Sequence, residues 1–323
     1  MKTLHRSLKF LALTLTVACG LAQAQSYPNR PVKIVVPFAA GGPADNYARF
    51  MAQRLTEELK QSFVIDNKPG AGSIIGTDLA AKSAADGYTL LMMSNTHTVN
   101  ESLIPTKPFA LMRDFVGIAP INYSALLLVA HPSVPVKNVA ELVALAKSRP
   151  GKINYASSGN GTPYHMAGEL FKFMAGIDMT HVPYKGSSGA RTDIVGGQVD
   201  VMFDAETTMA TLSREGKVRA LAGTGLTRSS NLPDLATVHE SGVPRFEASI
   251  WLGLMAPKGT PADVVNRLNA EVRKIVNNPD VRAAWAKQGA VPMSMTVSEF
   301  DQYLNADIAK WANIVKVSGA KPD

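Results

Sequence analysis

An α/β fold of two doubly wound lobes joined by a two-strand hinge is what this sequence predicts, and three observations predict it. A short apolar run, a loop of small residues and an amphipathic helix follow one another twice, over 32–59 and again over 153–174. After each, strands and helices alternate, the order of parallel sheets with helical crossovers. Two extended apolar runs, Tyr123 to Ala130 and Ala248 to Ala256, stand where the chain has to pass between lobes.

The N-terminus sets the compartment. Met1 to Lys9 carries Lys2, Arg6 and Lys9, Phe10 to Ala18 is apolar, and Ala22-Gln23-Ala24 is a small-x-small cleavage site, so residues 1–24 read as a signal peptide cut after Ala24. Cys19 raises a lipoprotein alternative, but Thr16 stands where a lipobox usually has Leu. The apolar run is far shorter than the ~20 residues of a spanning helix. A periplasmic location follows. The exported chain keeps no cysteine, so its core alone must hold it together.

The first lobe opens on Val32-Lys33-Ile34-Val35-Val36, a strand running into Pro37-Phe38-Ala39-Ala40-Gly41-Gly42. Ala44, Tyr47, Ala48, Met51, Leu55 and Leu59 then share one helix face. Phe63-Val64-Ile65, the turn 67–72, a helix near 74–82 and a strand over 88–93 complete the unit. In the second lobe, Lys152-Ile153-Asn154-Tyr155-Ala156 runs into Ser157-Ser158-Gly159-Asn160-Gly161 and a helix. His181-Val182-Pro183-Tyr184, the turn 185–189, a helix near 190–195 and the strand 199–203 follow the same course. The repeat is one of pattern, not of residue identity.

Asn138 with Glu141, Thr260 with Asp263, and Thr296 with Glu299 read as helix N-caps. Between the later caps, Val264, Leu268, Val272 and Ile275, then Phe300, Leu304, Ile308, Trp311 and Val315, form stripes that follow the second lobe in sequence but suit the first in space. The expected division is 25–124 and 247–323 for lobe 1 and 125–246 for lobe 2.

Each strand-to-helix junction presents unpaired backbone N–H groups and the positive end of a helix dipole, and small residues let an anion come close. Two such junctions predict two lobes gripping one acidic molecule. The formal charge is +7, and removing Lys2, Arg6 and Lys9 leaves 30 basic residues against 26 acidic ones, or +4, without clustering. Nucleic acid is therefore not an expected partner. Micromolar affinity needs about 8 kcal/mol, and hydrogen bonds to a charged group contribute roughly 1.5–3 kcal/mol each. A handful of amides suffices without an arginine clamp.

In order along the chain stand Tyr27-Pro28-x-Arg30-Pro31-Val32-Lys33-Ile34-Val35-Val36-Pro37-Phe38, Gly41-Gly42-x-x-Asp45, Asn67-Lys68-Pro69-Gly70-Ala71-Gly72, Ala84-Ala85-Asp86-Gly87-Tyr88, Pro183-Tyr184-Lys185-Gly186 and Ala256-Pro257. On these motifs the chain resembles the Bug family, the extracytoplasmic solute receptors of tripartite tricarboxylate transporters. The resemblance implies a periplasmic-binding-protein Venus flytrap, a di-, tri- or aromatic carboxylate held between the lobes, and delivery to membrane transporter subunits. It places Phe38, Ala39, Ala40, Gly41 and Gly42 beside the ligand with ordered water, and Ser157, Ser158, Gly159 and Thr162 on the carboxylate. Asp204 matches an acidic position common in the family, and the loop 94–97, with Ser94, Asn95 and His97, is expected to choose the ligand. Asp45, His165 and Tyr184 complete the candidate set. A monomer with no metal or cofactor is expected.

Enzyme motifs are mostly missing. There is no Gly-x-Ser-x-Gly elbow, no His-Glu-x-x-His and no phosphate-binding Gly-x-x-x-x-Gly-Lys-Ser/Thr loop. Ser157 or Ser158 with His165 suggests a serine hydrolase, but no acidic residue is evident to orient the imidazole. A receptor signalling to a sensor kinase shares the same ligand site and stays as the second alternative.

Overall fold

The computed structural model describes residues 27–318 and 320–322; the signal peptide, its cleavage after Ala24 and Cys19 lie outside the described residues. The chain runs through β1 (Val32–Val36), α1 (Pro43–Leu59), β2 (Phe63–Asn67), α2 (Ile74–Ala81), β3 (Thr89–Ser94), α3 (Asn95–Leu103), α4 (Leu111–Asp114) and the long β4 (Phe115–Ala130). Next come α5 (Val139–Ser148), β5 (Asn154–Ser157), α6 (Pro163–Ala175), β6 (Thr180–Pro183), α7 (Ser187–Val195), β7 (Val201–Ala205), α8 (Glu206–Arg214) and β8 (Arg219–Gly223). It ends with β9 (Ser249–Pro257), α9 (Ala262–Asn277), α10 (Pro279–Ala286), β10 (Ala290–Pro292) and α11 (Val297–Ser318).

The strands form one hydrogen-bonded path, β2-β1-β3-β9-β4-β7-β5-β6, with β8 and β10 paired to β4. Within it, β1–β3 and β5–β7 are two copies of one βαβαβ unit: the first strand of each lies between the other two, all parallel. The repeat seen in the sequence as a pattern is a repeat of topology. Ile34, Val36, Leu90 and Met92 pack on one side with the buried face of α1, while Val35, Leu91 and Met93 pack on the other with Ala80 of α2 and Phe300 and Leu304 of α11. Strands covered on both faces need near-continuous apolar sequence, as Val32–Val36 has.

β4 joins the lobes. It pairs antiparallel with β9 from Phe115 to Ala125, then with β7 and β8 from Leu126 to Ala130. The predicted hinge runs are thus mostly central strands, apolar because both faces are buried, and the crossings themselves are short, at Ala125–Leu126 and Ala248–Ser249. Thr224 fastens the two crossings together: its Oγ1 accepts the Leu126 amide at 2.8 Å and lies 2.6 Å from the Ala248 carbonyl oxygen.

Two N-caps form as the sequence indicates, at Asn138 and Thr296. Thr260 does not cap α9; its hydroxyl donates to the Pro257 carbonyl at 2.8 Å, and Pro261 occupies the cap position. The α9 stripe is buried with β4 and α1 as expected. The last helix reaches further than expected, since Trp311 packs with Val99 and Leu103 of α3 and also with Met166 of α6 in the second lobe.

Candidate ligand-binding site

The loops after β1, β2, β5 and β6 meet along one seam between the lobes, at the carboxyl ends of parallel strands. Main chain touches main chain there. Ser188 Oγ donates to the Ala40 carbonyl at 2.6 Å and Arg191 Nη1 to the Gly41 carbonyl at 3.3 Å. A Cβ on Gly186, where φ is +150°, would stand 2.7 Å from Ala39 Cβ, and one on Gly72 would stand 2.6 Å from the Asn160 carbonyl oxygen. Any side chain at these two positions would hold the lobes apart.

Along the seam lies a small inner chamber of about 20 Å³, walled by Phe38, Ala39, Gly42, Pro43, Ala44, Ser94, Thr96, Ser158, Pro163, Tyr164, Gly186, Ser187 and Ile250. An outer chamber shares Phe38 and Ser158 and adds Gly70–Ser73, Gly159, Asn160 and Pro183–Lys185. No Lys, Arg or His lines the inner one. Four helices begin in its wall: α1, α3, α6 and α7.

Of the residues singled out in the sequence, Phe38, Ala39, Gly42, Ser94 and Ser158 line the inner chamber, and Gly159 and Tyr184 line the outer. Ala40 and Gly41 serve the seam by accepting hydrogen bonds across it. The others act behind the wall. Asp45 accepts from the Gly41 amide at 3.0 Å, Arg49 at 2.9 Å and Asn67 at 3.0 Å, which shapes the loop. Burial alone would raise this carboxyl, but those bonds outweigh it and its pKa falls below the usual range. Asn95 donates to the Ser249 carbonyl at 2.9 Å and so braces the crossing.

The expected selectivity loop 94–97 is instead a strand end and the first turn of α3. Ser94 Oγ accepts the Thr96 amide and His97 Nδ1 accepts the Ser94 amide at 3.2 Å, a reciprocal cap that starts the helix. His97 Nε2 lies 3.0 Å from Thr77 Oγ1, whose hydroxyl also reaches the Ser73 carbonyl at 2.8 Å, and His97 Nδ1 lies 3.0 Å from the Ser94 carbonyl oxygen. Burial lowers this imidazole to about 4, against the weaker opposing effect of the Ser94 backbone. His97 is therefore neutral near pH 6, and it stands behind the lining of both chambers rather than in it.

The junction after β5 is closed on itself. Thr162 Oγ1 donates to the Gly159 carbonyl at 2.7 Å and accepts the His165 amide at 3.4 Å, and Ser157 Oγ accepts the Gly159 amide at 3.1 Å. His165 Nδ1 accepts the Gly161 amide at 3.1 Å; it is His181 Nε2 that lies 2.6 Å from Ser157 Oγ. Ser157 is thus met by His181, while the first turn of α6 holds His165 Nδ1 against its own loop. Asp204, fully buried, meets Arg191 through contacts of 2.5 and 3.1 Å. It holds the arginine that crosses the seam rather than lining a chamber.

Sequence reasoning missed Tyr164 and Ser187. Both follow a predicted strand-to-loop junction by one helical turn or less, and that position, first in the helix after Pro163 or Gly186, was the available signal. Tyr164 is 2% exposed, and its hydroxyl makes no hydrogen bond of standard geometry although Asp204 and Ser187 stand near. Among the described residues no cluster of three or more His, Cys, Asp or Glu is placed to hold a metal.

Two lobes, a double-stranded crossing and a chamber between opposed helix N-termini define a periplasmic-binding-protein fold of the solute-receptor class. The chain belongs to the tripartite tricarboxylate transporter family of receptors, whose pattern it matches over residues 47–320. Protein BugT of Bordetella pertussis is 38% identical over 302 residues, 92% of each chain. The structure of R. palustris Rpa4515 with adipate superimposes with a TM-score of 0.89 at 35% identity, covering 92% of this chain and 100% of that one. MatC from Rhodopseudomonas palustris with bound malate gives 0.85 at 32% identity, covering 90% and 100%.

Proposed function

We propose that this protein captures a small organic carboxylate between its lobes in the periplasm and passes it to the membrane subunits of a tripartite tricarboxylate-type transporter. The observation that carries the reading is the inner chamber, walled by both lobes, faced by helix N-termini and free of basic side chains among its lining residues. Partial positive charge from backbone amides suits an organic anion and leaves neutral sugars without a matching partner. The adipate and malate of the two related structures are acids of this kind.

The reading includes a signal peptide cut after Ala24, a lobe 1 of residues 25–124 and 247–323, a lobe 2 of residues 125–246, a monomer, and binding without turnover. Ligand-free protein, prepared by unfolding and refolding with chelator present, is titrated calorimetrically with di-, tri- and aromatic carboxylates and with sugars. One-to-one heat with at least one acid is expected, along with a smaller radius of gyration by X-ray scattering when that acid is present. Heat with sugars alone overturns the reading. Loss of uptake of the bound acid when the receptor gene is deleted separates transport from signalling, since a sensor's ligand would still be taken up.

A further inference from the structure

The lobes also meet at the pivot, away from both chambers. Ala205, the last residue of β7, pairs with Leu126, and Ala290, the first of β10, pairs with Ser124, so Glu206 of lobe 2 and Gly289 of lobe 1 flank the crossing at Ala125–Leu126. They touch. A Cβ on Gly289 would stand 2.5 Å from Glu206 Oε1 and 3.1 Å from Asn231 Nδ2. Ser229 Oγ donates to the same carboxyl oxygen at 2.5 Å and Asn231 Nδ2 at 3.4 Å, so both of these partners are neutral. Glu206 is 1% exposed. Beside the pair a cleft of about 640 Å³ opens between the lobes, and both residues reach its wall.

A carboxyl so placed is hard to ionise while the lobes are shut. Burial raises it above the ordinary glutamate value of 4.5, outweighing Ser229, Asn231 and Arg214, which favour the charged form. The charged and titratable groups around it are few. Arg214 lies on its own helix, and on the loop after β8 Arg228 is engaged by Glu240 at 2.9 Å. Into the same cleft α10 brings Arg282, the segment before β9 brings Glu247, and β4 brings Tyr123. Resting on the receptor reading for the closing motion, we propose that Glu206 and Gly289 form a proton-linked stop at the pivot: the lobes shut fully when the Glu206 carboxyl is neutral, and its ionisation draws water from the cleft between them. Because the pair lies beside the axis, a small gap there is a large one at the cleft mouth. Rotation that draws Gly289 away opens the carboxyl to water and lowers its pKa. The shut form therefore binds the proton more tightly. Its contribution to ligand affinity is present at low pH and is lost as pH rises through the shut-form value.

The test is a ratio of dissociation constants on refolded protein. In Glu206→Gln the side chain is neutral at every pH, so with adipate and malate as probes it should bind more tightly than wild type at about pH 8, by about tenfold for each unit by which closure raises the carboxyl. The two should converge towards about pH 5. Titration of the probe itself cancels in the ratio. Gly289→Ala sets a Cβ against Glu206 and should weaken both acids roughly tenfold or more. Its φ of +79° strains any side chain, a strain that Gly216→Ala reproduces at +69° with nothing within 4 Å; that variant should bind as wild type does. A ratio that stays constant with pH, or Gly289→Ala binding as Gly216→Ala does, overturns the stop and leaves the receptor reading intact. If no carboxylate binds wild type, the receptor reading falls and X-ray scattering of ligand-free protein decides the stop. Wild type should then be more compact at about pH 5 than at about pH 8 while Glu206→Gln is unchanged, and the same response in both overturns it.

Discussion

The two βαβαβ units share strand order and junction position, yet they treat their helix ends differently. In the first, α1 begins after Gly42 with its amides open, and Asp45 braces the loop through Arg49, whose side chain is 55% exposed. In the second, α6 begins under the Thr162 hydroxyl, and the acid that serves the seam, Asp204, is buried with an Arg191 only 11% exposed. Equal topology therefore does not give equal chemistry. Whether a strand-to-helix junction can receive an anion depends on whether its own side chains have already used the amides.

The sharpest way to break the contrast is to remove the arginine from each ion pair. Arg191→Ala leaves Asp204 buried and unpaired, for which about 3–5 kcal/mol of stability should be lost, read from urea unfolding. Arg49→Ala, at a partly solvated pair that keeps its amide partners, should cost under about 1 kcal/mol. Similar losses in the two variants would mean that the lobes are braced alike.

The next largest effect lies in the first unit. In the unfolded chain His97 takes a proton below its ordinary pKa of 6.5, while the folded state refuses one until about 4. Stability should therefore fall as pH drops from about 6.5 to about 4, by at most about 3 kcal/mol from this residue. His97→Gln should flatten that part of the profile in chemical denaturation measured at steps of pH. An unchanged slope would place the histidine in contact with solvent.

Thr224→Val keeps the shape but removes the hydroxyl that ties both crossings. A cost of about 1–3 kcal/mol is expected from the buried polar groups left unpaired, together with faster hydrogen exchange at the Leu126 amide. The smallest contrast is between caps. Thr162→Ala should cost about 1 kcal/mol, and a thermal midpoint at the wild-type value would show that α6 is as open as α1.

Much of this arrangement is legible in the chain because it depends on neighbours in sequence. The alternation of Val32–Val36 with the stripe Tyr47, Met51 and Leu55 marks strand, loop and helix by periodicity alone, and Pro43 and Pro163 stand at helix starts where a missing N–H costs nothing. The capping box of Thr296 and Glu299 is equally local. The turn of Ser94 to His97 was not legible, since a histidine in the third helical position is not a usual capping partner and Asn95, Thr96 and Thr98 are poor helix formers.

The sequence by itself determined the two-unit α/β plan and the strand-to-helix junctions, because periodicity and N-terminal helix signals act over a few residues. Only the tertiary structure decided how the two units meet. That meeting rests on contacts between residues far apart in the chain, such as Ser188 with Ala40 and Arg191 with Gly41, and on the Gly186–Ala39 approach that brings α7 against α1. Such contacts carry no periodic signature, since each depends on how two separately folded units come together.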